Sequence, residues 1–72
     1  MQPDLPDIET VAAEVHVAWI ASKRAQGVSS RKSEDGEELM VPYPQLSEKA
    51  KDLDRETVKA VYAAIRKSTA ST

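Results

Sequence analysis

The sequence has no cysteine and no phenylalanine, a single tryptophan and a single histidine. Without thiols, disulfide staples, thiolate zinc sites and cysteine nucleophiles are excluded. One histidine rules out a multi-histidine metal site. Large aliphatic residues are scarce as well: only 14 of the 72 residues are Leu, Ile or Val, so much of the 40% hydrophobic share is alanine. A strongly charged chain this poor in large apolar groups would be disordered. Here the formal net charge is only −2, which favours a folded chain. A domain of this length buries only about 60% of its unfolded surface and is marginal alone. No apolar run can span a bilayer; the longest, residues 15–21, contains His16. The first seven residues, MQPDLPD, lack the basic and apolar regions of a signal peptide. The expectation is a cytoplasmic protein with no membrane partner.

Charge is distributed unevenly. Residues 1–28 and 29–46 each carry a net −2, and residues 47–72 a net +2. No segment is basic enough to neutralise many phosphates, so duplex nucleic acid is not an expected partner. Ser, His and Asp are present, but nothing arranges them as a triad, and one small domain offers little room for a water-excluding site. The reading is of a non-enzyme without a cofactor.

Periodicity points to helices. Ile8, Val11, Ala12, Val15, Ala18 and Trp19 follow three-four spacing behind a good N-cap, Asp7. Lys23 and Arg24 suit the negative end of that helix, and Gly27 suits the position beyond it. The spacing predicts a first helix over residues 8–26. Residues 28–38 read as a polar loop. Residues 39–44, LMVPYP, read as an extended apolar segment, because Pro42 and Pro44 push Val41 and Tyr43 out of the helical region. Ser47 caps a second helical region carrying Ala50, Leu53, Thr57 or Val58, Val61 and Ile65 on its apolar stripe. That region is either continuous or broken at Asp54, with a short turn over 47–52 and a longer helix over 54–67. The architecture is all-α: a lead-in over 1–7, a domain over 8–67, and a tail over 68–72 expected to fray. Two helices bury little, so a homodimer sharing one core is expected.

The order of short motifs resembles a known family. His16-x-x-Trp19 is followed by a basic residue and Gly27. Then come Leu39-x-Val41-Pro42-Tyr43, Leu46, and Glu48-Lys49 leading to Asp54-Arg55-x-x-Val58. Over residues 8–66 this pattern resembles the ryanodine-receptor repeat (RyR domain), as a single standalone copy of the bacterial or phage type. The resemblance implies an all-helical fold with the Val-Pro-Tyr segment packed beside the helices. It also implies a homodimer that mimics paired tandem copies, and in some members binding of adenine nucleotides or related signalling molecules. Channel activity does not carry over, since the channel pores lie outside this module. The sequence departs from the family pattern after Gly27, where Val28-Ser29-Ser30 replaces an aromatic and a Tyr-Gly pair.

Each candidate residue has a functional and a structural reading. His16 and Trp19 share a helix face and form either an aromatic shelf with a hydrogen-bonding edge, suited to a purine, or a core tryptophan beside a histidine that orders a loop. Asp54 caps backbone amides or pairs with a cation or with His16, because an unpartnered buried carboxylate is costly. Arg55 binds a phosphate or carboxylate bidentately, or serves a structural ion pair. Lys23, Arg24, Arg31 and Lys32 bracket the Gly27 turn as an anion pocket, or compensate a helix end and solvate a loop. Glu34, Asp35, Glu37 and Glu38 lack calcium-loop spacing and read as a solvated acidic loop. Tyr43 anchors the linker or offers a stacking platform.

Together these readings predict a non-enzymatic module that binds a small anionic, nucleotide-derived molecule to sense or sequester it. Trp19 and Tyr43 would stack; Arg31, Lys32 and Arg55 would supply charge; His16 and Asp54 would support them. The alternative is a protein-interaction or assembly module without a small ligand. The position of Trp19 discriminates: a polar-rimmed cleft favours the ligand, and the core or a subunit seam favours assembly.

Overall fold

The computed structural model describes residues 5–70. Helix α1 spans Ile8–Ala25 and helix α2 spans Glu48–Ala70, with a single 3-10 turn over Tyr43–Gln45 between them. The fold is all-α, with no strand among the described residues. No helix among them is long and apolar enough to cross a membrane.

Helix α1 begins where the Asp7 carboxylate accepts the Thr10 amide at 3.2 Å. It ends in a Schellman arrangement. Gly27 adopts φ +81°, its amide donates to Arg24 O at 2.9 Å, and the Val28 amide donates to Lys23 O at 2.9 Å. The left-handed φ explains the glycine there.

Residues 28–39 are more organised than a solvated loop. Leu39 donates to Arg31 O at 2.7 Å and Ser33 donates to Glu37 O at 2.9 Å, so Lys32 and Glu38 face each other as an isolated antiparallel bridge. Gly36, at φ +84°, turns the chain at the tip. Two of the acids expected to be solvated hold this hairpin in place. The Glu38 carboxylate accepts from the Arg31 amide at 2.8 Å, the Met40 amide at 3.1 Å and the Ser30 hydroxyl. Glu37 accepts from the amide and hydroxyl of Ser47 at 2.8 and 2.6 Å, which ties the hairpin to the start of α2.

Tyr43 departs from the extended conformation expected before Pro44. It opens the 3-10 turn, where Gln45 and Leu46 donate to Pro42 O and Tyr43 O at 2.9 and 3.0 Å. The first turn of a helix needs no amide from its own residues, so a proline in it is tolerated.

The Ser47 hydroxyl accepts the Ala50 amide at 3.1 Å and caps α2. The helix is continuous through Asp54, which is one of the two readings left open, and it extends three residues beyond Lys67, so residues 68–70 are helical where fraying was expected. The rest of the tail, residues 71–72, and the first four residues of the lead-in lie outside the described residues. The buried row on α2 also differs from the expected stripe: Ala50, Val58 and Tyr62 are buried, whereas Leu53 and Val61 are 59% and 50% exposed. A row spaced by four faces α1, and the three-spaced positions fall on its flank. The core is completed by Ala12, Tyr43 and Leu46, with Met40 and His16 also buried.

Several carboxylates titrate below the usual glutamate value of 4.5. Arg55 lowers Glu9 and Glu48, Ser47 lowers Glu37, and Ser30 followed by the Arg31 and Met40 amides lowers Glu38. A carboxylate lowered in the folded state adds stability that is complete above its unfolded value and is lost as pH falls through the folded one. The melting temperature should therefore hold from pH 7 down to about 4.5 and fall below it. Glu38→Gln should flatten that fall, and circular-dichroism melts at stepped pH would read both effects. A Glu38→Gln chain with the wild-type acid slope would refute the role given to this carboxylate.

Candidate functional site

His16 joins three segments of the chain. Its Nε2 lies 2.7 Å from Val41 O and its Nδ1 lies 3.1 Å from Asp54 Oδ2. A carbonyl only accepts, so Nε2 carries a proton. Burial pushes Asp54 upward from the usual carboxylate range, opposed by the charge and hydrogen bond of His16. The ring also stacks on Trp19 at a centroid distance of 5.6 Å and 24° between planes, and tilts against Tyr43 at 6.2 Å. Of the open readings for Asp54, pairing with His16 is the one observed.

Arg55 occupies a second cluster. Its guanidinium donates to Glu9 by way of Nε and, at 3.0 Å, Nη2. It also donates to Glu48 at 3.0 Å and to Asp52 at 2.8 Å. Glu9 and then Asp52 hold it protonated more firmly than usual. A guanidinium already facing three carboxylates is a poor receptor for an anion. The expectation that Arg55 supplies charge to a ligand is therefore corrected to a structural cross-tie between α1 and α2. Tyr43 is corrected too. It is 7% exposed, and its hydroxyl donates to Glu9 at 3.0 Å. Of the two readings of Tyr43, the buried anchor is the one the geometry gives; no ring face is open for stacking.

Trp19 is different. It is half-buried and lines a cleft of about 250 Å³ with His16, Leu39, Leu46, Ala50, Leu53, Asp54 and Thr57. The walls are apolar, and the polar edge comes from Asp54 and Thr57. The Thr57 hydroxyl donates to Leu53 O at 3.0 Å, so its oxygen keeps lone pairs to accept. The cleft thus offers the Trp19 indole, which stacks on His16, and hydrogen-bond acceptors, with no lysine or arginine in its lining.

A second cleft, of about 460 Å³, adjoins it across Leu39, Ala50 and Leu53. Lys32 lines it, together with Lys49, Glu34, Asp35 and Glu37. Lys49 is paired with Asp35 at 2.6 Å. Two cations against three carboxylates leave this space with a negative balance. Arg31, Lys23 and Arg24 line neither cleft.

Family models, curated proteins and solved structures yield no match to this chain. The geometry therefore carries the functional argument. The five residues expected to bind a ligand do not converge. Trp19 stands at the first cleft and Lys32 at the second, Arg31 lies exposed on the hairpin, Tyr43 is in the core and Arg55 is in its own ion cluster. Among the described residues, no group of three or more acidic or histidine side chains is placed to hold a metal ion. Sequence reasoning passed over Leu39, Leu53 and Thr57 as lining residues. Leu53 carried no distinguishing signal, since it fits the same helical spacing as the buried row. Leu39 carried none, because its place depends on the hairpin.

Proposed function

We propose that this chain is a single RyR-type module that acts as a non-enzymatic, cytoplasmic binding protein, with the Trp19 cleft as its ligand site. The observation that carries the reading is a half-buried indole lining a cleft whose polar edge consists of acceptors. That arrangement suits a flat heterocycle bearing N–H donors, such as a nucleobase. The heterocycle stacks on Trp19 and donates to the free Asp54 oxygen and to Thr57. Stacking of a base on an aromatic side chain is worth about 1–3 kcal/mol. A phosphate finds no free cation here, so the base and not the phosphate is the recognised part. This departs from the anionic ligand that the sequence suggested.

Trp19 is the only tryptophan, so its fluorescence reports on the site without interference. Adenosine should quench it saturably, AMP and ADP-ribose should bind no more tightly than adenosine, and Asp54→Asn should weaken adenosine binding about ten-fold, near the 1.4 kcal/mol of one charged hydrogen bond. Absence of quenching by adenosine in a folded sample would refute the site. Much tighter binding of AMP would return the argument to the basic residues.

A further inference from the structure

We propose, resting on the Trp19 cleft as the base site, that the adjoining cleft receives a zwitterionic α-amino-acid arm carried on the sugar of the same nucleoside. The Trp19 cleft is small by itself. Its volume of about 250 Å³ lies below the roughly 300–1,000 Å³ of small-molecule sites. The second cleft adds about 460 Å³ and shares Leu39, Ala50 and Leu53 with the first. A nucleoside seated on Trp19 therefore has room to continue across an apolar stretch toward Ser33, Glu34 and Asp35 of the hairpin.

The rim of the second cleft carries charge of both signs, and its charged groups are not equally engaged. Lys49 is taken by Asp35 at 2.6 Å, and Glu37 is taken by the amide and hydroxyl of Ser47. Lys32 and Glu34 are left. Both are exposed, and neither side chain makes an ion pair or a hydrogen bond among the described residues. Lys32 acts on Glu38 through its charge alone. An unpaired ammonium and an unpaired carboxylate above an apolar floor match the carboxylate and the ammonium of one α-amino acid. Complementary charge of this kind selects among ligands more than it tightens any one of them. A phosphate arm meets the same lysine but is repelled by Glu34, Asp35 and Glu37. A simple amine arm suits Glu34 but is repelled by Lys32. Between sugar and head group the arm crosses Leu39 and Leu53, which favours an apolar linker such as a thioether.

The test is a Trp19 fluorescence titration of the full chain with three probes. S-adenosylhomocysteine carries the thioether and the amino-acid head, 5′-methylthioadenosine carries the thioether without the head, and adenosine carries neither. S-adenosylhomocysteine should bind about three- to ten-fold more tightly than 5′-methylthioadenosine, the yield of two exposed ion pairs. Added salt should erode that ratio, because both pairs are exposed to solvent. Lys32→Gln and Glu34→Gln, each at an exposed position, should keep wild-type helix content by circular dichroism and each lower the ratio about two- to three-fold. Equal affinity for the two thioethers, with adenosine still quenching Trp19, would overturn the arm and leave the base site standing. Absence of quenching by all three probes in a folded sample would overturn both. A preference for S-adenosylhomocysteine that neither substitution nor salt reduces would overturn the pairing with Lys32 and Glu34.

Discussion

His16→Ala should lower the unfolding free energy by about 3–5 kcal/mol, the loss expected when a buried hydrogen-bonded pair is broken by removing one partner. The imidazole donates to Val41 O and meets Asp54, and both contacts are short. Its removal leaves a carbonyl without a donor and a carboxylate, 17% exposed, without a partner. It also takes away the ring that separates Trp19 from Tyr43. A domain of this size has a total stability of about 4–11 kcal/mol at typical values per residue. The substitution should therefore remove roughly half of it. Urea titration followed by Trp19 fluorescence would measure it. A loss under about 1 kcal/mol, no more than one ordinary hydrogen bond, would mean that His16 is not the joint described here.

The second large effect belongs to Tyr62. This residue is 6% exposed, its hydroxyl donates to Pro6 O at 2.7 Å, and the Arg66 guanidinium lies 5.8 Å from its ring centre. Tyr62→Ala should cost about 3–5 kcal/mol, the range for deleting a buried aromatic ring. Tyr62→Phe keeps the ring and loses only the hydrogen bond, at about 1 kcal/mol. The difference between the two variants separates packing from the tie to the lead-in. The Pro6 contact also bears on α1, because Asp7 follows immediately and caps that helix. Tyr62→Phe should therefore loosen the first turn of α1 before the rest, seen as faster amide exchange at Thr10 and Val11. Equal losses for the two variants would show that the ring contributes little.

Local features of this fold were legible in the sequence. Asp7, Ser47 and Gly27 act through neighbours within a few residues, so their capping roles could be read directly. The three-four spacing of Ile8 to Trp19 placed α1 to within one residue of its end. The continuity of α2 was not legible, because an aspartate in mid-sequence can start a helix or sit inside one. The structure places it inside, paired with His16 from 38 residues earlier. The burial of Ala50, Val58 and Tyr62 over Leu53 and Val61 was equally hidden, since both rows fit helical spacing and packing against α1 selects one. Glu37 and Glu38 looked like surface charge because their partners are mostly backbone amides, which a sequence does not display as candidates.

The candidate site divides along the same line. The pairing of His16 with Trp19 could be read from their spacing on one helix. The saturation of Arg55 could not, because Glu9 reaches it from 46 positions away. The motifs that carry the family resemblance meet largely in the contacts that hold the fold: His16 with Val41 and Asp54, and Tyr43 with Arg55 through Glu9. Trp19 alone among the five expected ligand residues lines the apolar cleft with acceptors at its rim.

The most direct measurement is a two-dimensional 15N–1H spectrum of the protein titrated with adenosine. The account predicts shifts of the Trp19 indole N–H and of the Leu53, Asp54 and Thr57 amides, with the Arg31, Lys32 and Arg55 amides unmoved. Shifts gathered at Arg31 and Lys32, or a Trp19 indole resonance that stays fixed at saturating adenosine, would contradict it.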